Sequence, residues 1–425
     1  MKPKILIAAT SQWFTTARLA IALTESGCVV EALCPPYHPL NKTSVVHQIH
    51  TYRALKPLHS LAEAIMLAKP DLIVPGDDPA TGNLYRLYLQ MRSRNGSGAS
   101  VCELIERSIG VPENLPLVQA RSSFMKLAKE EGIRVPDTEV IANLVELRTW
   151  ISKTGFPMVL KANGTSGGEG VRIVRTFQDA EHAFKVLQAP PLLARAAKRA
   201  IIDHDKTLIW PSLLRQRSIV NAQTFILGHE ATSTFACWKG VVLAELHFEV
   251  LKKRDFAGPA TVVRLIDKPD MSTAAAKIAR RLNLSGLHGL DFMIEASSGN
   301  AFLIEMNPRT TQVGHLRLGG GRDLAAAMYA AVSGEALQPS PKVTNNETIA
   351  LFPQEWIRDP ASEFLRSAYH DVPWDEFELI RACVRKGHSY IPTKKAGVQR
   401  LFRPLAILSG STGNMQPERL DCEAK

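Results

Sequence analysis

An α/β fold with a parallel sheet at its N-terminal end is predicted by the first hundred residues, where short apolar runs alternate with segments of helical spacing. Two further observations extend the prediction. A glycine-rich stretch, Asn163–Gly170, separates two strand-like segments. Near residue 300 a Ser-Ser-Gly-Asn turn joins two more strands that carry acidic residues among apolar ones.

Composition sets the bounds. A chain of 425 residues has room for two to three domains, at ~150 residues each. Its 45 % hydrophobic and 22 % charged content excludes a wholly disordered, collagen-like or coiled-coil protein. Lys and Arg total 51 against 41 Asp and Glu, a net charge of +10. That excess suits an anionic partner: nucleotide, phosphorylated intermediate, nucleic acid or acidic membrane. No run approaches the roughly 18 apolar residues of a membrane span. The apolar stretch Ile5–Ala9 stops at Thr10-Ser11-Gln12, too short for a signal-peptide core. The six cysteines form no Cys-x-x-Cys pair and no zinc spacing, so a reduced, cytoplasmic protein is expected.

The elements follow in order. Lys4–Ala9, Val29–Cys34 and Asp71–Pro75 read as strands, Phe14–Ser26 and Ser60–Ala68 as helices. Ligands usually sit at the carboxyl ends of such parallel strands, here Thr10–Gln12 and Gly76–Asp78. Asp77 and Asp78 either serve a ligand or cap the next helix. Arg92–Ser100 reads as a loop. Then come a helix over 120–131, strand Val159–Lys161, the glycine-rich loop, strand Val171–Val174 and helix Phe177–Leu187. Residues 207–265 read as several antiparallel strands. Helix Ser272–Leu282, strands Leu290–Ile294 and Ala301–Glu305, and an alanine-rich helix ending at Val332 complete the pattern, which weakens after Pro339.

Two motifs carry chemistry. Lys161, at a strand end, can reach a phosphate, and glycines after it let backbone N–H groups close over a polyphosphate. The loop is neither a P-loop nor a strand-to-helix Gly-x-Gly-x-x-Gly. Alone it is equally well an ordinary turn. The second motif is sharper: Asp291 on one strand, then Glu305, Asn307 and Arg309 on the next. Residues i and i+2 of a strand share a face, and antiparallel pairing brings Asp291 alongside. Hard oxygen ligands so clustered suit Mg²⁺ bridging nucleotide phosphates. Arg309, in phase, can neutralise a transferring phosphoryl group.

With these motifs in this order, residues 1–335 resemble the ATP-grasp superfamily. The resemblance implies an ATP-grasp fold with an N-terminal pre-ATP-grasp domain (1–115), an N-lobe with a glycine-rich flap (116–200), a C-lobe with the metal site (201–335) and a C-terminal extension (336–425). It implies ATP held by Arg121, Lys161, Gly167 and Gly168 at the phosphates. Gln223, Phe225 and Ile226 would face the adenine, and Glu230 the ribose. Asp291, Glu305 and Asn307 would hold Mg²⁺, with Mn²⁺ as a substitute.

By the same resemblance the reaction is ligation of a small carboxylate to an amine through an acyl phosphate, with Arg309 and Lys161 as catalytic candidates; Arg264, in the basic segment 247–264, either holds a carboxylate or acyl phosphate as a third or belongs to a surface loop. Lys252–Arg254 reads as a solvated surface loop, and His315 and Arg317 as weaker candidates for the same cleft. Stand-alone carboxylate–amine ligases such as L-amino-acid ligases are the nearest pattern. Gly314 stands where biotin carboxylases have a catalytic glutamate, and no Ala-Met-Lys-Met site is present, so carboxylation is not expected. Carbamoyl-phosphate synthetase large chains have two synthetase halves, and this chain has one. A non-amine nucleophile, a carboxylate-phosphorylating activity or ATP binding without turnover are the alternatives. Dimerisation is common in the family. Residues 381–403 carry seven Lys/Arg and no Asp/Glu, but only Tyr390 and Phe402 interleave with them, which argues against nucleic acid as partner. Trp356 and Trp374 are expected to pack on the core.

Overall fold

The computed structural model describes residues 2–93, 98–163, 170–190, 214, 217–255, 258–338 and 341–390, with backbone alone over 385–390. The N-terminal strands β1 (Lys4–Ala8), β2 (Val29–Cys34), β3 (Val46–Thr51) and β4 (Leu72–Pro75) form a parallel sheet in the order β3-β2-β1-β4. Ile5 and Ile7 join one core with Leu19 and Leu23, while Leu6 and Ala8 join another with Leu61 and Leu84. Burial on both faces explains why β1 is an unbroken apolar run. β3 was not expected. It is an edge strand, and its His47, Gln48 and His50 interrupt the apolar signal.

A second sheet is antiparallel, with order β5-β8-β6-β7: β5 (Thr138–Ile141), β6 (Met158–Ala162), β7 (Val171–Val174) and β8 (Val220–Thr224). Met158, Leu160 and Ala162 fill its core with Trp150 and Phe184 from the helices Leu144–Thr154 and Phe177–Gln188. Strand alternation therefore turns Lys161 to the opposite face, which it shares with its register partner Asn221 and with Gln223.

The largest sheet has seven strands: β9 (Gly228–Trp238), β10 (Val241–Lys253), β11 (Ala260–Ile266), β12 (Gly286–Glu295), β13 (Ala301–Asn307), β14 (Thr348–Leu351) and β15 (Tyr369–Asp371). Their order is β13-β12-β9-β10-β11-β14-β15. Helix Pro269–Leu282 packs on one face against Phe235, Leu290 and Phe292. The other face, through Leu246, Phe248 and Val263, shares a core with the N-terminal domain and helix Leu324–Ser333. The stretch after 336 contributes β14 and β15 to this sheet. Trp356 is fully buried there, but Trp374 is 65 % exposed, contrary to the packing expected of it. None of the described helices is long and apolar enough to cross a membrane.

Candidate active site

The hairpin β12–β13 builds the centre. Asp291 is the register partner of Glu305, and Gly289 that of Asn307, so the three polar side chains lie on one face. The apolar alternates Leu290, Phe292, Leu303 and Met306 face the helix behind. Asp291 accepts from Thr232 Oγ1 of β9 at 2.9 Å and from Asn307 Nδ2 at 2.9 Å. Desolvation and the neighbouring Glu305 push the Asp291 carboxyl up to about 6. Glu305 is also desolvated, but Arg121 and Lys161 outweigh this and hold its carboxyl below the usual range.

The cations come from elsewhere. Arg121 opens helix Arg121–Glu130 and reaches Glu305 at 3.1 Å. Lys161 is buried, and desolvation together with Arg121 depresses its ammonium to about 8, although Glu305, Asp291 and Glu230 oppose the shift. Arg309 is clasped by Asp78 at 2.9 Å and by Asn307 Oδ1 at 3.2 Å. Asp78 keeps its guanidinium charged despite burial. Thr81 Oγ1 donates to the Pro308 carbonyl at 3.0 Å, and Thr310 N to that of Pro75 at 3.4 Å. The carboxyl end of β4 is thus docked on the strand that carries Glu305 and Asn307.

Gln223 lies on the Lys161 face of the smaller sheet and donates to Thr138 Oγ1 at 2.9 Å. Phe225 and Ile226 are half-buried in the connection from β8 to β9, between the two sheets. Glu230 is on the Asp291 face, since β9 pairs Glu230 with Met293 and Thr232 with Asp291, and it accepts from Lys253 Nζ at 2.6 Å. Lys253 is therefore part of the cluster rather than a solvated loop residue. Gly167 and Gly168 lie outside the described residues.

Several expectations do not survive. Arg264 pairs with Glu249, Nε to Oε2 at 3.1 Å, and the register places both on the face opposite Asp291. His315 Nε2 sits 2.6 Å from Asp371, which also holds Arg18 of helix Thr15–Glu25, and Arg317 pairs with Glu25. These groups tie β15 and the post-β13 segment to the N-terminal domain. Asp77 is buried and accepts from Thr10 N, Ser11 N and Ala80 N. It caps helix Asp78–Arg92 and fills the strand-end recess with the protein's own carboxylate. A side chain at Gly314 would meet Thr310 Oγ1 at 3.1 Å, so the tight turn has little room for a glutamate.

Missed in the sequence were Asp78 as the partner of Arg309, Thr232 as the donor to Asp291, and Lys253. Only Thr232 left a trace: it shares alternation with Glu230 along one strand.

Two sheets that flank Arg121, Lys161 and a carboxylate–amide hairpin frame a cleft, an arrangement of the ATP-grasp class. Residues 208–313 match the family model of the ATP-grasp domain, so the chain carries that domain. The carbamoyl phosphate synthase large chain of Mesorhizobium japonicum is 23 % identical over 241 residues, 53 % of this chain and 20 % of that protein. The chain thus matches about a fifth of the length of such relatives. Among solved structures, N5-carboxyaminoimidazole synthetase of Staphylococcus aureus with ADP is 17 % identical at a TM-score of 0.55, covering 80 % of this chain and 79 % of that one. The biotin carboxylase domain dimer of 2-oxoglutarate carboxylase from Hydrogenobacter thermophilus, with MgADP, ADP and bicarbonate, is 15 % identical at a TM-score of 0.55 over 80 % and 71 %. These likenesses establish the fold.

Proposed function

We propose that this chain is an ATP-dependent ligase that activates a small carboxylate as an acyl phosphate and joins it to an amine. One observation carries the reading: Arg121 and Lys161 converge from the N-lobe on the carboxylates Asp291 and Glu305 of the C-lobe, with Arg309 alongside. Such an arrangement neutralises a polyphosphate from several sides. We assign the nucleoside to Gln223 at the end of β8, Phe225 and Ile226 in the connection that follows, and Glu230 on β9. We assign Gly167 and Gly168 to the phosphates by the same reading. The domain limits proposed are 1–115, 116–200, 201–335 and 336–425.

In the reaction, a substrate carboxylate oxygen takes the γ-phosphoryl group and ADP leaves. The amine nitrogen then attacks the carbonyl carbon, phosphate departs with that oxygen, and the nitrogen loses a proton. Arg309 holds the phosphoryl oxygens. Lys161 and Arg121 hold the polyphosphate so that the reacting atoms stay in line.

The donor set of Asp291, Glu305 and Asn307 consists of hard oxygens side by side, and the desolvation and the repulsion from Glu305 that raise Asp291 are what a dication relieves. These residues fit Mg²⁺, with Mn²⁺ as a substitute, and when bound it supplies charge neutralisation at the phosphates.

The test is phosphate release from Mg-ATP against amino acids and other small carboxylates, singly and in pairs, with mass spectrometry of the products. A product lighter than the pair by one water establishes the ligase. Phosphate release with a single carboxylate and no amide transfers the reading to acyl-phosphate formation. Dimerisation, seen in the Hydrogenobacter neighbour, is carried into this proposal as the expected assembly.

A further inference from the structure

A cavity of about 270 Å³ opens at the uncovered edge of β10, lined by Glu245, His247 and Ser272 from the reverse face of the large sheet, by Asp267, and by Gly321 and Arg322 from the segment that leads into helix Leu324–Ser333. It shares no lining residue with the candidate active site. Thr232, bonded to Asp291, points into the cleft. The next residue, Ser233, points the other way and meets His247 Nδ1 at 3.0 Å. Ser272, on the helix that covers this reverse face, meets His247 Nε2 at 2.8 Å. His247 is thereby locked between two hydroxyls and forms a fixed back wall.

The cavity lies where the sheet leaves a strand uncovered. The ladder from β10 to β11 begins at His247 with Ile266, so the β10 backbone over residues 243–246 has no strand beside it on that side. Uncovered strand edges present N–H and C=O groups in alternation. The charges complete the picture. Glu245 stays ionised against desolvation through its bonds to His247 and Ser272 and the field of Arg322. Arg322 and Asp267 line the same space, yet neither forms an ion pair among the described residues. Two opposite charges that share a small cavity without closing on each other leave a gap between a cationic and an anionic end. A dication does not suit it, since the Arg322 guanidinium lines the same space.

We propose that this cavity is a second binding site, distinct from the ATP cleft, for a small zwitterion of the α-amino-acid class. The ligand carboxylate lies on the Arg322 guanidinium, where bidentate pairing is available. Its ammonium lies toward Glu245 and Asp267, and its backbone-like groups run along the open edge of β10. The inference does not depend on which reaction the cleft performs.

The test is calorimetric titration of the full chain, without nucleotide, using the common L-α-amino acids one at a time, alongside the corresponding primary amines and carboxylic acids. At least one amino acid should bind, and its amine and acid halves should bind at least tenfold more weakly. Arg322→Ala and Glu245→Gln should each weaken that binding about tenfold or more, the loss of one charge-assisted contact. Glu305→Gln, in the cleft, should leave it unchanged. Unaltered thermal unfolding of the exposed Arg322→Ala variant controls for folding. Binding by none of the amino acids overturns the proposal. So does binding that is lost in Glu305→Gln and kept in Arg322→Ala, which would put the amino acid in the cleft as a substrate.

Discussion

The guanidinium of Arg121 stands 3.1 Å from the carboxylate of Glu305. The helix that Arg121 opens shares an apolar core with β12 and β13, so this ion pair adds charge to a contact already made by Phe124 and Met125 with Leu303 and Met306. In the proposed reaction a polyphosphate entering the cleft would compete for Arg121 and leave Glu305 to a second cation.

Glu305→Gln tests that point. The variant keeps the shape of the side chain but removes its charge. ATP-dependent phosphate release should fall by about a hundredfold or more, the scale of one lost electrostatic contact in phosphoryl transfer. Turnover retained within a few-fold of wild type would remove Glu305 from the mechanism.

Lys161→Met separates stability from function. The ammonium is buried and depressed to about 8 by desolvation and Arg121. An apolar side chain of similar length avoids that desolvation, so the thermal midpoint should hold or rise. ATP affinity should drop roughly tenfold or more with the lost charge-assisted bond. Differential scanning calorimetry and nucleotide titration read the two effects independently.

Arg264→Ala should leave ATP turnover within a few-fold of wild type. Its side chain is about half exposed, pairs with Glu249 and faces away from Asp291. The stability change should stay within ~1 kcal/mol, as for surface ion pairs generally. A loss of turnover comparable to that of Glu305→Gln would return Arg264 to the reaction.

Acid should weaken the fold through His315 and Asp371. Burial lowers the His315 imidazole below its usual 6.5, even with Asp371 beside it. Below pH 6.5 the unfolded chain therefore takes up a proton that the folded chain resists, and stability falls. Asp371 is held below its usual 3.8 because Arg18 and His315 outweigh its burial. Its contribution is present above 3.8 and is lost as pH falls through the folded value. Both groups act in the same direction. Thermal midpoints measured across pH should decline on acidification, and His315→Gln should flatten the first part of the decline. Asp371→Ala should cost ~3–5 kcal/mol at neutral pH, since it strands Arg18 without a counter-charge.

The cleft hairpin was legible because its information is local. Asp291, Glu305, Asn307 and Arg309 lie within one strand–turn–strand unit, where alternation puts Glu305 and Asn307 on one face and pairing across the turn, through one bulge, sets Asp291 opposite Glu305. Lys161 was legible for the same reason, at the end of an apolar strand. Arg264 was not legible because its face depends on which residue of β10 it pairs with, and that partner, Glu249, is remote in sequence. Asp78 was left undecided because its partner Arg309 is remote in sequence, and Lys253 because a lysine in a polar run has no periodic signature. Helix Leu144–Thr154 did announce itself. Asn143 accepts from Val145 N and Glu146 N, while Glu146 reaches back to Ala142 N, a capping box that was passed over.

The ion pair between Arg18 and Asp371 has a consequence for how the molecule is made. A ribosome releases the first helix long before it releases β15, and domains tend to fold as they emerge. Arg18 must therefore wait, solvated, through the synthesis of every strand of the cleft. The proposed catalytic groups are complete once Arg309 is out, yet this ion pair between the N-terminal domain and β15 closes only some sixty residues later, with Asp371, at ~5–20 residues per second. A nascent chain stalled between these two points would hold the proposed active-site residues with an unfinished edge on the large sheet, and an uncovered strand edge is a template for pairing with another chain.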